Sequence, residues 1–290
     1  MRSHRLAIQI RKPARSFRIS LAILTTLAAT ATFLRHEVSL DSFLQTNPTG
    51  DQPEASQFPP RPVESAFPPV PTGDQPAQYQ TRTIEGWTVH VNEALIRDHP
   101  ELAEQTLTLL RFQLYQVTRK VPSAALEKLK TVVFWVEENE PNTPCMTYHP
   151  AREWLVQHGV DPRKAGCVEL ANARNFLAWT LEQPWMVLHE LAHAYHHKFL
   201  EGGFQNREIR VTFDNAMKQK LYQRVLRITG EETEAYAARN PMEYFAEATE
   251  AFFGTNDFYP YVRSELKRHD TEAYRLLQRV WHADTSRAAR

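Results

Sequence analysis

The sequence predicts an α+β fold over residues 84–283, with a small N-terminal sheet and a helical C-terminal part. Runs rich in β-branched and aromatic residues come first, at Trp87 to Val91 and Thr131 to Glu137. Helix signals dominate after residue 180, where apolar stretches run without a breaker and open on a proline or an asparagine cap. Strands followed by helices, instead of alternating with them, give the order of an α+β domain.

The chain reaches that domain through two segments of different character. Arg2, Arg5, Arg11, Lys12, Arg15, Arg18 and Arg35 precede the first acid, Glu37, and Ile19 to Leu34 is an uncharged, mostly apolar run of 16 residues. A basic stretch followed by an apolar one is the order of an export signal. Residues 1–35 are expected to be a signal peptide cleaved near Ala29-Thr30-Ala31, or an anchor holding the chain in the membrane through residues 19–34, because the run approaches the length that spans a bilayer. In both cases the positive flank places the rest of the chain outside the cytoplasm: secreted, periplasmic, or on the outer side of the cytoplasmic membrane. Residues 36–83 read as a linker, with Pro48, Pro53, Pro59, Pro60, Pro62, Pro68, Pro69, Pro71 and Pro76 and few large apolar residues. The hexapeptide PTGDQP occurs at 48–53 and again at 71–76, too few copies to stack as a repeat fold.

Within the domain, Pro100 to Arg119 carries Leu102, Leu107, Leu109, Leu110, Phe112 and Leu114 at near-helical spacing, a long helix packed on the sheet. Val168 to Trp179 is a weaker strand candidate. Val168 to Leu177 would serve as the edge strand along which an extended peptide pairs, although Asn172, Arg174 and Asn175 also suit a loop. Pro184 then opens PWMVLHELAHAYHHKFL, which continues to Gly202 and Gly203. Residues 284–290 are a tail. Cys145 and Cys167 are the chain's two cysteines; outside the cytoplasm a disulfide is the expected state, worth roughly 3 kcal/mol for a loop of that length, with two buried free thiols as the alternative.

Basic and acidic residues balance at 34 each, so nothing electrostatic points to nucleic acid. The chemistry lies in His189-Glu190-Leu191-Ala192-His193. Two histidines four residues apart share one face of a helix and converge on one point, and the glutamate beside them reaches a water held there without being a ligand. These are the positions of two zinc ligands and a general base. Trp185, Met186, Val187, Leu188, Leu191, Ala192, Ala194 and Tyr195 make the helix apolar on nearly every side, so the polar groups would be buried with something to satisfy. A metzincin spacer needs Gly at 196 and His at 199, where this chain has His196 and Phe199. His196 and His197 are then surface or supporting groups.

A third ligand is sought among Glu201, Glu208, Glu231, Glu232, Glu234, Glu243 and Glu247. Glu243 is best placed, three residues after Asn240 at the start of an apolar helix, but that same spacing makes a capping box, and the residues alone leave both readings open. Glu247 shares a face with Glu243, an unfavourable like-charge pair that a cation beside it would reverse, and a carboxylate there would receive a histidine N–H.

The blocks VLHELAHAYHH and EAYAARNPMEYFAEATEAFF resemble the catalytic domain of anthrax lethal factor and its relatives, gluzincin metallopeptidases that include secreted bacterial proline-directed endopeptidases. The resemblance rests on about 35 residues in two blocks. It implies a zincin-like fold, a zinc ion held by His189, His193 and Glu243, Glu190 as catalytic base, Tyr236 as an assisting catalytic residue, Glu247 in support, and a peptide or protein substrate. Two other function classes stand beside it: an inactive zinc-binding module that presents the cleft to peptides, and a structural exported domain with satisfied core histidines.

Overall fold

A computed structural model describes residues 77–141 and 143–282. The segment expected to be an export signal or anchor, both PTGDQP copies and the 284–290 tail lie outside the described residues.

The sheet begins earlier than its composition announces. β1 (Tyr79–Ile84) and β2 (Trp87–Asn92) form an antiparallel hairpin in the register Ile84↔Trp87. Its two-residue turn, Glu85-Gly86, has both residues at positive φ (51° and 92°), the conformation that matches the twist of paired strands. β1 thus lies almost wholly inside the segment read as linker. It is an edge strand exposed along most of its length, so YQTRTI shows no apolar alternation to betray it.

α1 (Glu93–Asp98) leads into α2 (Pro100–Lys120), which opens on proline as predicted and buries Leu102, Leu107, Leu110, Leu114 and Val117 along one stripe. α3 (Ser123–Leu129) returns the chain to β3 (Phe134–Val136), shorter than the Thr131 to Glu137 run. β4 (Met146–Tyr148), α4 (Arg152–Gln157) and β5 (Val168–Leu170) complete a five-stranded sheet in the order β1-β2-β3-β5-β4. β5 pairs on both sides, parallel to β3 and antiparallel to β4. The expected edge strand is therefore an inner one, and Ala173–Trp179, the rest of that segment, is α5, capped by Asn172 Oδ1 accepting from Asn175 N–H at 2.8 Å. β4 holds the edge.

The two thiols sit at opposite ends of the β4/β5 ladder. Ala171 N–H donates to Cys145 O at one end and His149 N–H to Cys167 O at the other. Four strand positions, roughly 13 Å at about 3.3 Å each, separate them. A disulfide needs Cα atoms within about 7 Å, so the expected bridge is not formed and both cysteines are buried free thiols.

The helical part follows as α6 (Met186–Phe199), α7 (Arg207–Lys218), the short hairpin β6 (Val225–Leu226) and β7 (Glu232–Thr233), α8 (Pro241–Phe253), α9 (Arg263–His269) and α10 (Thr271–Val280). Val89, Val91, Phe134, Val136, Val168 and Leu170 share one sheet face by register and join the core with α2 and α6. α6 and α8 pack side by side, with Trp281 stacked on Tyr195 at 4.1 Å and donating to Thr249 Oγ1 at 3.2 Å. Gly254 ends α8 against the Trp185 ring, where an added Cβ would lie 2.0 Å from a ring carbon. Only glycine allows that approach. Among the described residues no helix is long and apolar enough to cross a membrane.

Candidate metal centre

α6 begins without a side-chain cap, and its Val187 N–H is satisfied by the buried Gln113 of α2 at 3.2 Å. That contact fixes the first turn, from which His189 and, one turn on, His193 face α8. α8 is buried at every position from Met242 to Phe253, and its glutamates at 243, 247 and 250 recur at helical spacing along one stripe. Asn240 Oδ1 caps it, accepting from Met242 N–H and Glu243 N–H, each at 2.9 Å. The cap is present, but the Glu243 carboxylate turns to the histidines: its Oε2 lies 3.1 Å from His189 Nε2 and 3.2 Å from His193 Nε2.

Those separations suit a metal. Ligands bound to zinc at about 2.0–2.1 Å in a tetrahedron stand about 3.3 Å apart. His189, His193 and Glu243 each offer one donor atom to a common point, two imidazole nitrogens and a carboxylate oxygen. His189 Nδ1 lies 2.7 Å from Glu250 Oε1, which holds the ring in the tautomer whose Nε2 is free to ligate. His193 Nδ1 is buried without a hydrogen-bond partner.

Electrostatically the cluster asks for positive charge. Burial acts against a charged His189, but hydrogen bonds to Glu243 and Glu250 overcome it and hold its pKa well above the ordinary histidine value. Burial alone would raise Glu243; the imidazoles of His193 and His189 bring it well below the usual carboxylate range. Glu190 goes the other way: burial pushes it up, against the pull of His193 and His189. A carboxyl so placed accepts a proton more readily than a free glutamate.

Glu190 Oε2 also accepts the backbone N–H of Tyr148 at 2.7 Å. The Tyr148 hydroxyl and His197 Nδ1 are 2.9 Å apart, so the β4 edge is tied to α6 at two points two helical turns apart. Tyr236, in a 3-10 turn before α8, has its ring centroid 6.3 Å from that of His189, with the Arg239 guanidinium over the Tyr236 ring at 4.7 Å.

The structure reassigns two predicted places. Glu250, which the sequence reading did not single out, is the close partner of His189 Nδ1, while Glu247 Oε1 stands 4.0 Å away. The signal was available, since Glu250 continues the 243–247 stripe by one more step of three. His196 is fully buried between the rings of Phe204 and Phe245, and burial brings its pKa down to about 3, so it is a neutral core residue.

Comparison with known families and with curated proteins finds no match. Among solved structures, the Pro-Pro endopeptidase PPEP-2 from Paenibacillus alvei superposes with a TM-score of 0.35 at 17% identity, covering 61% of this chain and 90% of its own. A superposition that loose carries no functional inference.

Proposed function

We propose that this chain is an exported, zinc-dependent metalloendopeptidase with a zincin-like catalytic domain of the gluzincin type. The single observation that carries the reading is the convergence of His189 Nε2 and His193 Nε2 on Glu243 Oε2, with Glu190 on the same helix beside them. In this reading His189, His193 and Glu243 hold the ion, which when bound polarises a carbonyl and lowers the pKa of water toward about 7. Glu190 takes the water's proton on a carboxylate oxygen and passes it to the leaving amine. Tyr148 N–H holds the other side of that carboxylate, limiting the orientations it samples. Tyr236 donates its hydroxyl hydrogen to the oxyanion that develops on the scissile carbonyl. Glu250 fixes the imidazole of His189, and Glu247 lies behind it.

An extended peptide would pair along the outer edge of β4, which runs beside α6 and Glu190. The substrate class is therefore peptide or protein, and the balance of 34 basic and 34 acidic residues supports no nucleic-acid partner. The export signal or anchor in residues 1–35 supplies the site of action. The test is elemental analysis of the purified chain together with turnover on a peptide library. About one zinc per chain with cleavage supports the reading; zinc without cleavage makes the domain a binding module, and absence of zinc makes the histidines structural.

A further inference from the structure

β4 is the edge of the sheet, and its outward backbone groups have no strand to meet. In an antiparallel ladder the N–H and C=O of one residue point the same way, and successive residues alternate. His149 turns both groups toward β5: its N–H donates to Cys167 O at 3.0 Å, and its carbonyl accepts Gly166 N–H at 2.6 Å. Tyr148 therefore presents its own N–H and C=O to the open side. A side chain of α6 takes that N–H, Glu190 Oε2 at 2.7 Å.

Such a bond lasts only while helix and strand keep their spacing, and contacts in order along α6 set it. Cys145 Sγ packs on Met186 Sδ at 3.4 Å, Tyr148 N–H meets Glu190, and the Tyr148 hydroxyl lies 2.9 Å from His197 Nδ1. From Met186 to His197 the helix advances about 16 Å, so the last contact secures the far end. Tyr148 is 1% exposed, and its ring meets the His197 imidazole edge-on with centroids 5.8 Å apart. His197 is itself held. Phe204 stacks on its ring at 4.8 Å, and Gly203, at φ 53°, comes so close that an added Cβ would lie 2.9 Å from His197 O. Burial, then the charge of Lys198, keep the His197 pKa below its ordinary value, so the ring is neutral and able to accept the hydroxyl hydrogen at Nδ1.

We infer that His197 is a positioning residue for Glu190, acting through Tyr148: its bond to the phenol hydroxyl holds the residue whose outward N–H orients the carboxylate. The catalytic meaning of this hold rests on the peptidase reading, in which Glu190 takes the proton of water; the hold itself does not. A carboxylate with one oxygen pinned presents the other in fewer directions, and a base must lie within hydrogen-bond reach of the proton it takes.

The test reads the Tyr148 amide directly, by hydrogen exchange resolved to single amides in the full chain freed of metal. His197→Phe keeps a ring for Phe204 to stack on but loses the nitrogen, and Tyr148→Phe loses only the hydroxyl. Each is expected to speed exchange at position 148 by about 10-fold, while the His149 amide, bound to Cys167 O, exchanges at its wild-type rate. The two together speed it no further than either alone, because both break one contact. His197→Asn, whose amide can stand near the place of Nδ1, restores slow exchange. Unchanged exchange at 148 in both single variants overturns the inference. A speeding shared equally by 148 and 149 overturns it too, since that is general loosening of the domain. Should His197→Phe not fold, Tyr148→Phe decides alone. Turnover on one cleavable peptide is measured alongside: kcat of both variants falls about 10-fold, with KM and zinc at wild-type values. Wild-type kcat in both variants of a chain that does cleave overturns the positioning role. A wild-type chain that cleaves nothing sinks the peptidase reading and the catalytic role of His197 with it, while the exchange rates still decide the hold.

Discussion

Two buried polar clusters lie on the two faces of the β4/β5 pair, and only one of them is closed. On the face away from α6, Glu137 Oε1 receives the Tyr79 hydroxyl at 2.7 Å and Lys164 Nζ at 2.8 Å, and its Oε2 receives Asn92 Nδ2 at 2.6 Å. Glu169 Oε1 is bound by the same ammonium and its Oε2 by His149 Nε2 at 2.6 Å. Both oxygens of both carboxylates are taken. Burial opposes the charge on Lys164, but Glu169 and Glu137 outweigh it and hold its pKa above the ordinary lysine value. On the other face, Glu190, His193, Glu243, Glu247 and Glu250 are buried to a similar degree beside a partly buried His189, yet His193 Nδ1 and Glu247 Oε2 are without partners. Depth does not separate the two clusters. The hydrogen-bond account of their carboxylates does.

The comparison breaks or holds under substitution. Glu243→Ala is expected to have the largest effect: zinc content falls to background and turnover with it, since the proposed function makes Glu243 one of three protein ligands. Stoichiometric zinc in that variant would return Glu243 to a capping role. For Glu190→Gln, zinc stays and kcat falls by about 10² to 10⁴, because the amide keeps size and position but cannot take a proton. Its melting temperature holds or rises, as one buried carboxylate in a crowded set is neutralised. The closed cluster should respond in the opposite sense. Lys164→Met leaves two buried carboxylates facing each other and costs about 3–5 kcal/mol of stability, while zinc content and kcat of the folded fraction stay at wild-type values. Chemical denaturation and elemental analysis of the three variants, side by side, read the contrast directly. A Lys164→Met chain that melts normally would mean that the cluster is not closed by that ammonium.

How far the sequence announced these clusters follows from what each leaves in a one-dimensional pattern. The open cluster was legible because its residues repeat at helical spacing, 189 to 193 on α6 and 243 to 247 on α8, inside stretches too apolar to be a solvated face. Glu250 belongs to the same stripe and was passed over because the resemblance named only the first two glutamates. The closed cluster left no such trace: Tyr79, Asn92, Glu137, His149, Lys164 and Glu169 come from six places along the chain and meet only through the sheet order. β5 was misplaced at the edge for the same reason, since a three-residue strand carries no sign of how many neighbours it has. β1 was hidden because an exposed edge strand needs no apolar alternation.

Tyr236→Phe sharpens the boundary of the open cluster with a smaller effect. If the hydroxyl donates only in the transition state, kcat falls by about 10² to 10³ with KM and zinc unchanged. An unchanged kcat would make Tyr236 a packed aromatic and leave the metal alone to carry the oxyanion.

The smallest expected effect is none at all, at the thiols that end the ladder shared by both clusters. Cys145 Sγ packs against Met186 Sδ at 3.4 Å, at the start of α6, and Cys167 Sγ faces the carbonyls of Arg163 and Ala165 at 3.8 and 3.6 Å, beside the closed cluster. Burial, with the Glu190 charge adding to it, pushes the Cys145 thiol far above its usual pKa, and burial raises Cys167 too. Both stay protonated at neutral pH and are poor nucleophiles. A reductant should therefore leave the melting temperature unchanged, and thiol titration should count two free groups per chain, reacting only after denaturation. A fall of several degrees on reduction would require a bridge, and with it a different β4/β5 register. Tyr148 N–H could not then be assumed to meet Glu190, so this null result also guards the geometry on which the proposed role of Glu190 depends.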